Sequence, residues 1–475
     1  MSAGYARVVS APAPTEPQLR VAIVGGGAAG SIVAGELLRR DAPLAIDLYE
    51  RRGDIGPGLA YSTPDPHHLV NVPAGKLSAD PESPTHLMAW LERNGHPALP
   101  ETFAQRRVYG QYLRELFAER RAAAMAAQLT TSSEPVLTIR PTASGVELCA
   151  EHDPGPRDYD AVVLALGNVA APPAIDLPHD PRAFASPWAH GALEPDPSLD
   201  AGSVLIVGTG LTAVDAALSL AAASPTTRLV LASRNGRLPF AHLPGPLREP
   251  APSTDFPGGL TTLDELVAAW EAHVASCREA GFDWRDVVDG LRPRTQGLWR
   301  TLGVAEQGRF LRERRRDWEA RRNRAAPEVG ARLDELVASG RLEVVRGGVT
   351  DIRAEDDGIH ARVGEAERSF ARVVSCTGPT VDVTRCNEPL LRQLLADGVV
   401  AADPHLLGIR TADDGRVLDA QGAVNSSIFT LGWLRRGELW ETLAIPEIRS
   451  QAAAIAEQLS RRTAPGSPRS RELAR

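Results

Sequence analysis

The fold is decided by a short stretch near the start of the chain, Val21-Ala-Ile-Val-Gly25-Gly-Gly27-Ala-Ala-Gly30. Four apolar residues followed by Gly-x-Gly-x-x-Gly indicate a buried strand, a tight turn and the start of a helix. The pattern returns later as Val204-Leu-Ile-Val-Gly208-Thr-Gly210-Leu-Thr-Ala213. This repeat predicts two dinucleotide-binding units within the 475 residues of the chain.

The three glycines of the first motif are each required for a different structural reason. Gly25 allows the turn, Gly27 lets the backbone approach a pyrophosphate, and Gly30 permits close packing of helix on strand. The next apolar strand ends at Glu50, 25 positions after Gly25, and Arg51 follows it. A carboxylate at that distance is placed to bind the ribose hydroxyls of a nucleotide. We therefore take these five residues as candidates for binding the first nucleotide.

In the second unit Ala213 replaces the third glycine, which the motif tolerates. The position equivalent to Glu50 is Ser233, and Arg234 follows it. No acid stands there to repel a 2′-phosphate, and a guanidinium able to hold one is adjacent. The pattern favours NADPH over NADH, although Arg234 could equally stack on adenine or be a solvated charge. Gly208 and Gly210 complete the candidate site for this second nucleotide.

Both units close on an apolar strand that ends in glycine, at Gly167 and Gly378. We predict an α/β fold with two Rossmann-like domains of the glutathione-reductase type, the NAD(P) domain being inserted in the FAD domain. The usual arrangement puts FAD in the first unit and a nicotinamide in the second. The predicted boundaries are a flexible arm at 1–19, the FAD domain at 20–200, the NAD(P) domain at 201–378, the return of the FAD domain at 379–461 and a disordered tail at 462–475. A tryptophan-rich helical insert is expected at about 250–330.

A loop-like region follows the ribose-binding strand between Gly56 and Ser78 and is rich in glycine and proline. In a flavoprotein with two nucleotides such a loop runs beside the flavin. Asn71 and Lys76 are therefore the catalytic candidates, with Ser78 as a further contact. Lys76 is the only lysine among 52 basic residues, but an ordinary solvated lysine is the competing interpretation. His67 and His68 are expected in a surface turn.

The return segment contains a strand, a glycine turn at Gly432 and a helix reaching Leu459. Pro446 fits only the first turn of a helix, which places the helix start near Trp440 to Ile445. A helix start offers backbone donors to a flavin ring. Gly432, Trp440 and Glu441 are accordingly cofactor-binding candidates, the alternative being plain core packing of a terminal helix.

Composition excludes several other classes of protein. The net charge is −8, so a nucleic-acid or membrane-surface protein is not expected, and the eight arginines between 309 and 324 are interpreted as a solvated helix face. The four cysteines show no metal-ligand or redox-pair spacing, and no metal site is predicted. No apolar run is long enough to cross a membrane. The expectation is a reduced, cytoplasmic protein of undetermined oligomeric state.

Several motifs together resemble the bacterial FAD/NAD(P)-binding flavoproteins related to class B monooxygenases and N-hydroxylases. The resemblance runs from about Arg20 to Leu459. Besides the first glycine motif it is carried by Gly58-Leu-Ala-Tyr61, Leu69-Val-Asn71-Val-Pro-Ala74, Ser233-Arg-Asn-Gly236, Cys376-Thr-Gly-Pro379 and Gly437-Glu-Leu-Trp-Glu441.

The resemblance implies a flavin-dependent monooxygenase that uses FAD, NAD(P)H and O2. A C4a-(hydro)peroxyflavin would transfer one oxygen atom to a small, polar, nitrogen-rich substrate. The two-nucleotide urate hydroxylase branch is one resemblance, and it implies conversion of urate to 5-hydroxyisourate in purine degradation. N-hydroxylation of an amino compound is the alternative within this class. A reductase that passes electrons from NAD(P)H to a quinone or protein carrier is the rival, and a redox-sensing binding module is a third possibility.

Overall fold

The architecture is described from a computed structural model for residues 19–153, 155–169, 175–200, 202–378 and 382–463, apart from the side chain of Ser198. The predicted arm 1–19 and tail 462–475 lie almost wholly outside these residues. Leu19 already belongs to the first strand, and Arg462 is the last residue of the final helix.

The strands in chain order are β1 (Leu19–Val24), β2 (Leu44–Tyr49), β3 (Gln128–Ser132), β4 (Val136–Pro141), β5 (Val146–Ala150), β6 (Arg157–Tyr159), β7 (Ala161–Leu164), β8 (Ala183–Phe184), β9 (Ser203–Val207), β10 (Arg228–Ser233), β11 (Leu342–Arg346), β12 (Val349–Glu355), β13 (Gly358–Val363), β14 (Ala366–Phe370), β15 (Arg372–Ser375), β16 (Arg416–Leu418) and β17 (Val424–Thr430).

The α-helices are α1 (Ala28–Arg40), α2 (His86–Arg93), α3 (Arg106–Ala123), α4 (Leu211–Ala223), α5 (Leu263–Glu279), α6 (Trp284–Leu291), α7 (Thr295–Thr301), α8 (Val304–Glu313), α9 (Arg315–Arg322), α10 (Pro327–Ala338), α11 (Pro389–Ala396), α12 (Arg436–Leu439) and α13 (Ile445–Arg462). Single 3₁₀ turns lie at Ala74–Lys76, Pro197–Leu199, Arg292–Arg294, Val383–Arg385 and Gly432–Arg435.

The first sheet has the strand order β16-β17-β7-β1-β2-β3 and is parallel except for β16. Alternate residues of β1 enter different apolar layers, as the two-residue period of a strand requires. Val21 and Ile23 pack in the layer that contains α1 and α13, whereas Ala22 and Val24 pack in the opposite layer. Burial on both faces explains why the strand is an uninterrupted apolar run.

The second sheet has the order β11-β10-β9-β15-β8, and all its pairs are parallel. Its strands fall in the chain between β7 and β17, which are neighbours in the first sheet. The prediction of two Rossmann-like units, the second inserted in the first, is therefore confirmed. Two three-stranded antiparallel sheets, β4-β5-β6 and β12-β13-β14, precede the closing strands β7 and β15.

Helices α5–α9 lie in the chain between β10 and α10, and we call them the helical insert. The capping box of α5, in which Thr262 and Glu265 bond reciprocally, fixes where the insert begins. Within the described ranges, no helix combines the length and the apolar character needed to cross a membrane.

Candidate functional site

The first glycine loop has the geometry of a phosphate cradle. Gly25 adopts a φ of +101°, and a Cβ on it would lie 2.4 Å from the carbonyl oxygen of Ala165. A Cβ on Gly30 would lie 1.7 Å from the carbonyl oxygen of Gly25, so only glycine fits either position. Helix α1 follows with Gly27 as its N-cap, without a side-chain cap or an acid in the first turn. Its first N–H groups are thus left for an anion, as a pyrophosphate requires.

Glu50 lies beside this loop as predicted. Its carboxylate accepts hydrogen bonds from the N–H of Gly26 at 2.8 Å and from the N–H of Arg52 at 3.0 Å. The side chain is therefore held at the end of β2, where a ribose would pass. The guanidinium of Arg51, the other residue predicted to bind this nucleotide, forms an ion pair with Glu388 at 3.0 Å, at the start of α11.

The second glycine loop repeats this construction. Gly208 has a φ of +128°, and a Cβ there would lie 2.5 Å from the carbonyl oxygen of Cys376. A Cβ on Gly210 would meet no described atom within 4 Å, so the loop presents open space at this point. Helix α4 begins directly after Gly210, again without a side-chain cap or an acid in its first turn. Ala213 is buried at the position of the third glycine.

The end of β10 carries positive charge. Ser233 is fixed by a 2.9 Å contact with the hydroxyl of Thr209 and accepts a hydrogen bond from the N–H of Gly236 at 3.1 Å. Arg234 is exposed and forms no ion pair with any residue of the described ranges. Burial first, and then the charges of Arg315 and Arg234, lower the pKa of Arg316. An anion such as a 2′-phosphate would relieve this crowding of cations.

The helical insert and the segments on either side of it meet the loop beside the predicted flavin position at Lys76 and Asn71. Lys76 Nζ lies 3.8 Å from Asp289 Oδ2, and Arg324 approaches the other oxygen of Asp289 at 2.5 Å. His242 donates from Nε2 to the carbonyl of Asn71 at 3.2 Å. The side-chain amide of Asn71 is half-buried and makes no hydrogen bond to another described residue. Lys76 is therefore a component of an interface between two parts of the chain.

The charges of this group influence one another. Burial opposes ionisation of Asp289, but Arg324 and Lys76 outweigh it, so the pKa of the carboxyl is lowered. Burial, assisted by Arg324, lowers the pKa of His242 to about 4. The imidazole is thus neutral near pH 7. The run of arginines predicted to be a solvated helix face is exposed only in part, since Arg322 and Arg324 are 9% and 2% accessible.

The insert also contacts the return segment where α12 is followed by α13. Arg292 makes two hydrogen bonds of 2.7 Å with Glu447, in the first turn of α13. Glu441 receives the indole N–H of Trp318 at 3.0 Å and lies 3.3 Å from Arg322. The insert therefore covers one side of the turn between α12 and α13, residues 440–444, in which Leu443 is 44% exposed.

Two residues of the return segment that were predicted to bind the cofactor make contacts within the chain. Gly432 has both backbone polar groups engaged, its N–H with Gln451 at 3.0 Å and its carbonyl with Thr442 at 3.2 Å. The ring of Trp440 points into the insert and stacks on Trp299 with centroids 5.2 Å apart. Helix α13 begins at Ile445, its N-cap makes no side-chain bond, and it starts within the predicted interval. In the 440–444 turn the N–H groups of Trp440 and Glu441 are also engaged, with the carbonyls of Arg436 at 2.8 Å and Leu439 at 2.7 Å.

His68 was missed by sequence reasoning, which placed it in a surface turn. Its side chain is fully buried, with Nδ1 2.8 Å from the hydroxyl of Thr63 and Nε2 donating to Ser219 Oγ at 2.8 Å. Ser219 belongs to α4 and in turn donates to Asp65. The histidine therefore ties the first domain to the helix that starts at the second glycine loop. Sequence carries no local signal of this contact, because the partners are 151 positions apart.

The four cysteines are free thiols, and three of them are buried. Burial raises the pKa of Cys376 to about 12 and also raises the pKa values of Cys277 and Cys386. None of these three has the character of a reactive thiolate.

Comparisons with known proteins identify relatives that bind FAD and NAD(P) or share this fold. Residues 22–169 match the family described as FAD-NAD(P)-binding. A curated relative, the Escherichia coli (strain K12) protein YdhS, described as uncharacterized, is 28% identical over 221 residues. The alignment covers 42% of this chain and 39% of that protein, so the chain spans about two fifths of the length of the curated relative.

Among solved structures, the ornithine N-hydroxylase KtzI from Kutzneria sp. 744 has a TM-score of 0.64 at 17% identity, covering 94% of this chain and 100% of that one. The bacillithiol disulfide reductase Bdr (YpdA) from Staphylococcus aureus has a TM-score of 0.54 at 14% identity, covering 93% and 98%. The fold is that of the two-domain FAD/NAD(P)-binding flavoproteins. Because this fold serves both oxygen and disulfide chemistry, the choice between them depends on the site.

Proposed function

We propose that this chain is an NADPH-dependent flavin monooxygenase that hydroxylates a small amino compound. In the balanced reaction NADPH supplies two electrons, one atom of O2 enters an N–H bond of the substrate, and the other leaves as water. When bound, FAD would supply the chemistry of accepting a hydride from the nicotinamide and activating O2. The residues of the chain bind the two nucleotides, hold the substrate and exclude water.

The observation that carries the proposal is that the helical insert covers one side of the 440–444 turn. The contacts of Arg292 with Glu447 and of Trp318 with Glu441 close this side of the first domain. Oxygen transfer needs a site from which water is excluded, because water destroys reactive oxygen adducts before they meet the substrate. An electron-transfer reductase has no such need and instead requires access for its carrier.

The cysteines argue against disulfide reduction. An enzyme that reduces disulfides through its own thiols needs an accessible, ionisable thiolate. Three of the four thiols are buried with raised pKa values, and Cys149 lies on the antiparallel strand β5. The burial of these thiols therefore favours a hydroxylase over a disulfide reductase as the function of this chain.

Particular residues have distinct roles in this scheme. Gly25, Gly27 and Gly30 with Glu50 would hold FAD, and Gly208 with Gly210 would hold the pyrophosphate of NADPH. Ser233 and Arg234 would bind the 2′-phosphate. Lys76 and Asp289 place a cation and an anion side by side near the loop, which suits a substrate with a polar end.

The direct test measures oxygen and NADPH consumption by the FAD-loaded protein with a panel of alkyl amines, aryl amines and urate. We expect amines to accelerate both rates together and to yield hydroxylamines detectable by mass spectrometry. Acceleration by urate alone would support the purine alternative instead. If no compound accelerates oxygen uptake while a quinone or ferredoxin-like carrier re-oxidises the flavin, the chain is a reductase and the proposal is wrong.

Lys76 can be tested within this assay. Replacing it, Lys76→Met, removes the cation but leaves Asp289 paired with Arg324, so folding and FAD content should persist. For an amine that also carries a carboxylate, we expect KM to rise about tenfold, the effect of losing one charge-assisted hydrogen bond from Lys76 to that carboxylate. Lys76→Arg should restore most of the affinity. A Lys76→Met protein with full FAD content and unchanged kinetics would remove the lysine from the site.

A further inference from the structure

The helical insert contains a cavity of about 230 Å³ that the nucleotide sites do not use. Six aromatic side chains line it, Phe256, Trp270, Trp299, Phe310, Trp318 and Trp440. An engineered apolar cavity of roughly 150 Å³ is large enough to bind benzene. The cavity in the insert can therefore hold an aromatic ring with a short substituent.

The polar edges of its walls are directed away from the cavity. Trp299 donates its indole N–H to the carbonyl of Gly437 at 2.8 Å, and Trp318 donates to Glu441 at 3.0 Å. The hydroxyl of Thr295 donates to the carbonyl of Leu291 at 3.1 Å. These groups are already satisfied, so most of the surface left for a ligand consists of the carbon faces of rings and aliphatic chains.

The charged lining residues have other partners or lie on the solvent side. Asp317 is paired with Arg237, and the guanidinium of Arg321 lies over the rings of Phe240 and Trp284. Glu271 and Arg314 are exposed. A ligand made only of N–H and C=O groups, such as urate, would lose its hydrogen bonds to water in this cavity without replacement.

Trp440 connects the cavity to the return segment. It is the centre of a γ-turn with φ +60° and ψ −65°, closed by the N–H of Glu441 donating to the carbonyl of Leu439 at 2.7 Å. Such backbone is rare and is strained for a bulky residue. The conformation holds the ring against Trp299 and Phe310 while the backbone stays beside the first domain. A wall of the cavity and the 440–444 turn are thus one piece of chain.

We propose that the insert cavity is the substrate subsite of the enzyme and that it binds the aromatic ring of an arylalkylamine. The inference rests on the proposed function and specifies its substrate. The ring occupies the space between Trp270, Trp299 and Trp318, and the amine extends past Trp440 toward the 440–444 turn. Aromatic walls suit an aromatic guest because rings pack edge to face or offset. An arylalkylamine should therefore bind better than an alkylamine of equal chain length.

The test uses two probes and two matched variants of the FAD-loaded protein. Tryptamine carries a ring and ethylamine carries the same amine without one, and calorimetry gives their affinities without any turnover. Val267→Trp fills the cavity from α5, and Val337→Trp places the same change on an exposed valine of α10. FAD content and circular dichroism identify a variant that fails to fold, in which case the smaller Val267→Phe replaces it.

We expect tryptamine to bind wild type at least tenfold more tightly than ethylamine, and Val267→Trp to abolish that difference. Val337→Trp should behave as wild type. Equal binding of both probes, or undiminished tryptamine binding by the filled cavity, would overturn the subsite. Tight tryptamine binding without any effect on NADPH or oxygen consumption, in a protein that oxidises NADPH with another amine, would also overturn it. A last outcome separates the two proposals: Val267→Trp loses tryptamine binding, but the wild-type protein consumes no oxygen with any amine. This result would reject the monooxygenase and, with it, the role of the cavity as a substrate subsite. The cavity would then be only a site that binds aromatic rings.

Discussion

His242 should make the stability of this protein depend on pH in a defined interval. The imidazole is enclosed between the Asn71 loop and Arg324, and its pKa is lowered from 6.5 to about 4. The unfolded chain takes up a proton below about pH 6.5, whereas the folded chain resists protonation until about pH 4. The stability contributed by the neutral imidazole is therefore present above pH 6.5 and is lost progressively as the pH falls toward 4.

The magnitude follows from the size of the shift. At 1.36 kcal/mol per pKa unit, a shift from 6.5 to about 4 corresponds to about 3 kcal/mol of unfolding free energy. Replacing the residue, His242→Phe, removes this term and costs about 1 kcal/mol near neutral pH through the lost bond to Asn71. The variant should thus be less stable than wild type near neutrality and more stable near pH 4.

The assay is urea unfolding of the FAD-loaded proteins at a series of pH values, followed by tryptophan fluorescence. The difference between wild type and variant is the quantity of interest, because the other titrating groups cancel in it. His179→Phe, at an exposed histidine, is the matched control and should leave the pH profile unchanged. Parallel profiles for wild type and His242→Phe between about pH 7 and about pH 4 would refute the reasoning.

Two further predictions separate the nucleotide sites. Gly210→Ala adds a methyl group where no described atom lies within 4 Å, so folding and FAD content should persist. The methyl group would meet an incoming pyrophosphate, and KM for NADPH should therefore rise at least tenfold. Gly297→Ala, equally free of neighbours in α7, is the control, and an unchanged KM in Gly210→Ala would place the nicotinamide nucleotide elsewhere. Arg234→Ser should raise KM for NADPH about tenfold and leave KM for NADH unchanged, because only the 2′-phosphate loses a charge-assisted bond; equal effects on both coenzymes in steady-state kinetics would contradict that role.

The two strand–turn–helix units and their nesting can be read from the sequence alone. Gly25 and Gly208 have positive φ angles, and at Gly25, Gly30 and Gly208 a Cβ atom would collide with a neighbouring backbone carbonyl. Only glycine tolerates these positions, and the requirement involves only a few residues. The positions of Glu50 and Ser233 at the ends of β2 and β10 follow from the same local spacing. Short-range backbone geometry is enough to read these features from one sequence.

Other parts of the candidate site were decided only by tertiary structure. Lys76 meets Asp289 across 213 positions of chain (289 − 76), and Arg51 forms an ion pair with Glu388, near the start of α11. His68 is buried against α4, and the rings of the insert enclose a cavity with Trp440, far along the chain. No local pattern encodes these contacts, because each depends on how separate elements pack. The physical reason is that burial and charge pairing depend on neighbours in space, whereas glycine turns depend on neighbours in sequence.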